Sequence, residues 1–152
     1  MKLRSVNSKG RPKTAYTVET DILLALISTE DKHHAEMTRL FDKFLRDIKI
    51  SPYSLIELDL LLKSGEIIVK EVKTFYDALS DLFEYREIGL LSTRPGYHGE
   101  AHELRKKYEN LTYFDSLHAA VGIVENIELV SYDKEYEKIR ELKYNHPKKY
   151  TC

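Results

Sequence analysis

Apolar residues recur along this chain at two spacings, and the alternation between them divides it into elements. In 111–124, Phe114, Leu117, Val121 and Val124 fall three or four apart, which is one face of a helix. Ala119, Ala120 and Gly122 are small enough there for a neighbouring layer to approach closely. Thr112 stands at the cap with Asp115 at the third helical position, the spacing of a capping box. Ala35, Met37, Leu40, Phe41, Phe44, Leu45 and Ile48 repeat the helical spacing after Asp31, with charges between them. That pattern predicts an amphipathic outer helix in which His33 and His34 are solvated.

Further helices are expected from Thr20, as cap, through Leu26; from Ser51-Pro52, carrying Glu57 in the second turn, to Lys63-Ser64-Gly65; over 69–85; and over about 100–109. Short apolar runs at 15–18, 48–50, 88–91 and 127–130 read as strands, with 142–144 as an edge strand and 92–99 as a loop. Strands this short, alternating with helices, pair in parallel and carry helices on both faces. The expected fold is α/β, three-layered α/β/α around a short central parallel sheet.

Composition narrows the picture. A chain of 152 residues that is 42% hydrophobic suits one globular domain, and it is not composed like a disordered one. Net charge is only −1, but Lys2, Arg4, Lys9, Arg11 and Lys13 all precede the first acid, Glu19. The division expected is a basic tail over 1–13 and a single domain over 14–152. The tail reads either as a solvated terminus or as an arm that touches phosphate. Cys152 is the only cysteine, which excludes an internal disulfide and suggests a reducing compartment. No segment resembles a signal peptide or a membrane span, so the expected location is cytoplasmic.

Four acids stand in matching settings. Glu19 and Asp133 follow short strands, Glu57 lies in an early helical turn after one, and Asp115 starts a helix that leads back into one. In a parallel sheet those places share the carboxyl edge, where α/β proteins build their sites. Two carboxylates about 5 Å apart repel by roughly 3 kcal/mol at an effective dielectric of 20. A cluster of four therefore needs protons or a cation, and Mg²⁺ or Mn²⁺ suits oxygen donors. Each acid also has a plainer reading; Asp115 by itself can be a helix cap. Ser131 either orients a carboxylate, binds phosphate, or satisfies local backbone. His98 and His102 are four apart, but Gly99 stands where a zinc protease needs Glu. His118 reads as a helix-face or core residue, or as a partner to an acid.

The segments YTVETDILLAL, SPYSLIELDLLL, LTYFDSLHAAVGI and LVSYDKEY, in this order and at these intervals, resemble the PIN-domain nucleases. They are most similar to the single-domain toxin nucleases of VapBC toxin–antitoxin systems. The resemblance implies a PIN-like fold and places Glu57, Asp115 and Asp133 on the family's metal-site acids, with Ser131 on a hydroxyl position two residues before the last. The first acid, usually Asp in the family, is here Glu19. The resemblance further implies an Mg²⁺- or Mn²⁺-dependent endoribonuclease acting on RNA, a homodimer, inhibited by a small antitoxin. The alternative is a catalytically impaired domain that binds RNA or protein.

Overall fold

The computed structural model describes residues 15–44 and 46–151, so the basic tail, Leu45 and Cys152 lie outside the described residues. Strand β1 (Tyr16–Val18) enters the centre of the sheet. It pairs in parallel with β4 (Glu128–Val130) in the register Thr17 to Leu129 and Val18 to Val130, and β4 pairs with β5 (Tyr144–Asn145). Strand β2 (Lys49–Ile50) pairs in parallel with β3 (Gly89–Leu90). A parallel bridge from Tyr16 to Ile48, with the Tyr16 N–H donating to the Asp47 carbonyl at 3.2 Å, joins the two groups. The order is thus β3-β2-β1-β4-β5, and the connections reverse direction between β1 and β4.

Alternation along the strands sorts the core into two layers. Val18, Ile50 and Val130 face α1 (Thr20–Ile27) and α2 (His34–Lys43), where Ile22, Leu23, Met37 and Leu40 are fully buried. Leu129 faces the other way, into a cluster with Tyr53 of α3 (Tyr53–Ser64), Tyr97 and Leu104 of α5 (Pro95–Lys107), and Leu117 and Val121 of α6 (Tyr113–Glu125). The result is the expected three-layer α/β/α arrangement. Helix α4 (Val72–Tyr85) adds Leu82 and Phe83 to the rim of the first layer. Gly122 lets the second layer close, since a Cβ there would lie 2.8 Å from Cδ1 of Leu142.

Several boundaries differ from those expected, for local reasons. Glu19, not Thr20, is the N-cap residue of α1, and its side chain does no capping. Asp31 accepts from the His33 N–H at 2.8 Å in a turn before α2, and Ile48, which fits both the helical spacing and the strand at 48–50, belongs to the sheet through its bridge to Tyr16. Helix α4 starts three residues later than expected, and α5 five residues earlier, inside the predicted loop. Pro95 is preorganised for the first turn of α5, and Tyr97, buried completely, anchors a segment that Gly96 and Gly99 would otherwise weaken. Short α7 (Lys148–Thr151) was not expected. His33 and His34 are half-buried and not freely solvated: His33 stacks on Tyr132 at 4.1 Å, and Nδ1 of His34 lies 2.9 Å from the Ala25 carbonyl. Among the described residues no helix is long and apolar enough to cross a membrane.

Candidate active site

The reversal between β1 and β4 leaves a crevice at their carboxyl ends, the place where open parallel sheets bind ligands. Glu19 follows β1 directly, and its N–H donates to the Val130 carbonyl of β4 at 3.3 Å. Its side chain is 9% exposed and is held by two hydroxyls: Ser131 donates to Oε2, and the Tyr136 hydroxyl lies 2.8 Å from Oε1. The same phenol oxygen stands 3.0 Å from Oδ1 of Asp115. Asp115 is in place because Thr112 caps α6, accepting from the Asp115 N–H at 3.3 Å. Its backbone makes the cap, so its carboxylate is free to face Tyr136.

Ser131 also accepts from the Asp133 N–H at 3.0 Å, which ties the fourth acid to the first through one oxygen. Asp133 caps a 3-10 turn over Lys134–Lys138 and accepts from the Glu135 N–H at 2.9 Å. Glu57 approaches from α3, with Nε2 of buried His118 3.4 Å from its Oε1, so His118 is the acid's neighbour within the core.

The electrostatics bind these acids into one group. Burial, with the charge of Asp21 next, raises the Glu19 carboxyl to about 8, against the hydrogen bonds from Ser131 and Tyr136. Asp21 is exposed, and its carboxyl is raised above its ordinary value by the atoms crowded around it, against the hydrogen bond from the Ile22 N–H and with the charges of Glu57 and Asp133. Burial also acts to raise Glu57, but His118 and Thr20 outweigh it and hold that carboxyl below its ordinary value. Protonated Glu19 can donate to the Tyr136 oxygen while Tyr136 donates to Asp115, which accounts for one hydroxyl serving two acids.

Two residues of this constellation do not stand out in the sequence reading. Asp21 was readable: it lies two residues after Glu19 in the first turn of the same helix. Tyr136 carried no such signal, because an aromatic residue three after Asp133 reads as core.

All five acids offer hard oxygen donors. Among the described residues none of Glu19, Asp21, Asp115 and Asp133 is ion-paired to a Lys or Arg. In donor chemistry the set fits a divalent cation. Among the described residues no three Asp, Glu, His or Cys side chains stand close enough to share an ion without adjustment. An open groove of about 550 Å³ runs from Asp115 and Asp133 past Thr112, Asn110, Tyr108 and Lys138.

The central parallel sheet, with Glu19, Asp115 and Asp133 joined through Ser131 and Tyr136 at its switch point, defines the chain as an α/β domain with an acidic carboxyl-edge site. More particularly, it belongs to the PIN domain family, which it matches over residues 16–142. No curated protein matches it in sequence. Among solved structures it is similar to VapBC2 from Rickettsia felis bound to a promoter DNA fragment, at 20% identity over 88% of this chain and 98% of that one, with a TM-score of 0.68. It is also similar to VapBC-1 from nontypeable Haemophilus influenzae, at 17% identity over 89% and 99%, TM-score 0.66. A third is VapC20 from Mycobacterium tuberculosis, described as a sarcin-ricin loop cleaving toxin, at 17% identity over 84% and 98%, TM-score 0.63.

Proposed function

We propose that this protein is a divalent-cation-dependent endoribonuclease, the toxin of a toxin–antitoxin pair, working in the cytoplasm. The observation that carries the reading is the meeting of Glu19, Asp115 and Asp133 through Ser131 and Tyr136 at the β1–β4 crevice, with the charges of Asp21 and Glu57 acting on the same group. Membership of the PIN domain family and likeness to a toxin that cleaves the sarcin-ricin loop support it.

Glu19, Glu57, Asp115 and Asp133 would hold Mg²⁺ or Mn²⁺. The ion, when bound, supplies an activated water and counter-charge for the phosphodiester. Ser131 orients Glu19 and fixes the backbone at Asp133, and His118 keeps Glu57 ionised. RNA would lie along the groove that Asp115 and Asp133 line, with Lys138 beside it.

An antitoxin and a second copy of the chain are the expected partners, as the VapBC complexes suggest. Of the two amphipathic helices that could offer such a surface, α2 and α4, the apolar face of α2 is consumed by the protein's own core through Met37, Leu40 and Phe41. Ile56 and Leu60 on α3 and Val72 on α4, each 49% exposed, are the better surface. Sedimentation is expected to give a dimer; a monomer at all concentrations would remove that part.

The competing reading, a domain that binds RNA or protein without cutting, draws on the absence of a ready three-donor cluster among the described residues. One experiment separates the two: incubation of purified protein with mixed RNA pools in Mg²⁺, in Mn²⁺ and in excess chelator. Cleavage in either metal that chelator abolishes is expected. Binding without cleavage would favour the alternative, and cleavage undiminished by chelator would overturn the metal mechanism.

A further inference from the structure

Glu19 reaches its place on a side chain with three rotatable bonds, and a carboxylate on such a stem is positioned only if something else holds it. Two hydroxyls do. Ser131 takes Oε2, and Tyr136 takes Oε1 while its oxygen stands 3.0 Å from Asp115. The Tyr136 ring is 1% exposed and lies in the second core layer, tilted against Tyr144 at 5.8 Å. Tyr144 in turn donates its hydroxyl to the Ser131 carbonyl at 2.9 Å. The phenol therefore cannot swing out to solvent when the site is loaded, because its ring has no room to turn. Its oxygen is a fixed point on which two acids from opposite ends of the chain converge.

We propose that Tyr136 is a positioning residue of the cation site, holding Glu19 and Asp115 at the mutual spacing that an ion requires. The inference rests on the reading of these acids as a cation site. It gives Tyr136 a task distinct from that of a core aromatic, which the ring alone would perform.

The test is Mn²⁺ binding by the full-length purified protein, read from the free-ion signal in electron paramagnetic resonance without RNA. Tyr136→Phe keeps the ring and removes the oxygen. It is expected to weaken Mn²⁺ binding by about tenfold or more, the loss typical of partners that orient metal ligands. Should the Phe variant not fold, a crystal structure of the unmodified protein soaked in Mn²⁺ decides the question: the Tyr136 oxygen is expected to stay within hydrogen-bond distance of both Glu19 and Asp115. Tyr136→Phe binding within twofold of the unmodified protein, or a phenol out of reach of either acid in the Mn²⁺-soaked crystal, would overturn the role of Tyr136 and leave the cation site standing. An unmodified protein that binds no Mn²⁺ would overturn both.

Discussion

The Ser131 hydroxyl donates to Oε2 of Glu19 across 112 residues of sequence, and the same oxygen accepts from the Asp133 N–H. One small side chain thus joins the acid after β1 to the acid after β4. Ser131→Ala removes both bonds and leaves a buried carboxylate short of a donor. The expected result is a loss of cleavage of about 10–100-fold, as for other groups that orient ligands, and destabilisation of about 1–3 kcal/mol. Ser131→Thr, which restores the hydroxyl, should recover most of the activity. Equal cleavage rates for the Ala variant and the unmodified protein would refute this role.

Stability should fall as pH rises through the neutral range in metal-free buffer. Glu19 has its carboxyl raised from about 4.5 to about 8 in the folded protein. Between those values the folded state binds more protons than the unfolded one, so the contribution is complete below about 4.5 and is lost as pH climbs to about 8. Glu57, held low, acts in the opposite sense and only in acid. The melting temperature is expected to drop by on the order of several degrees between pH 5 and 8.5, and Glu19→Gln should flatten the curve. A melting temperature that rises across that window would contradict the assignment.

Asp115→Asn should separate function from stability. The cap of α6 uses the backbone N–H of residue 115, so the substitution leaves it intact. It removes one of the negative charges acting on Glu19. RNA cleavage is expected to fall by on the order of a hundredfold or more, while the melting temperature in metal-free buffer holds or rises. A variant that cleaves normally would take Asp115 out of the site.

Much of this architecture was legible because a single physical signal decided it. Val18, Leu129 and Val130 mark strands buried on both faces, and Thr112 with Asp115 marks a helix start that the structure reproduces with the bond in place. Where two signals conflicted, the reading failed. Gly96 and Gly99 suggested a loop, but burial of Tyr97 overrode backbone propensity and made it helix. The site was legible as a set of acids following strands, since strand ends can be counted. The hydroxyl of Tyr136 was not, because its value depends on two partners 21 and 117 residues away. His33 was read as solvated for the same reason: Tyr132, against which it stacks, is distant in sequence.

Packing at Gly122 gives a prediction independent of function. A Cβ there would meet Leu142 at 2.8 Å and the Ile127 carbonyl at 3.5 Å. Gly122→Ala gains helix propensity of about 1 kcal/mol and loses a similar amount in displaced packing, so it should be near neutral. Gly122→Val adds bulk that Leu142 cannot clear, and about 1–3 kcal/mol of destabilisation is expected in urea unfolding. A Val variant as stable as the unmodified protein would show that α6 and the segment at Leu142 are looser than described.

The central position of β1 has a consequence for synthesis. Its partner β4 lies more than a hundred residues downstream, as the pairing of Val18 with Val130 shows. A growing chain therefore exposes Glu19 long before Ser131 and Tyr136 exist to meet it. Pairing this distant is slow to form and cannot begin until the later strand has emerged. On the ribosome the acids stay apart until β4 and the turn after it have emerged, so an unfinished copy has the pieces of the acidic site but not its assembled form.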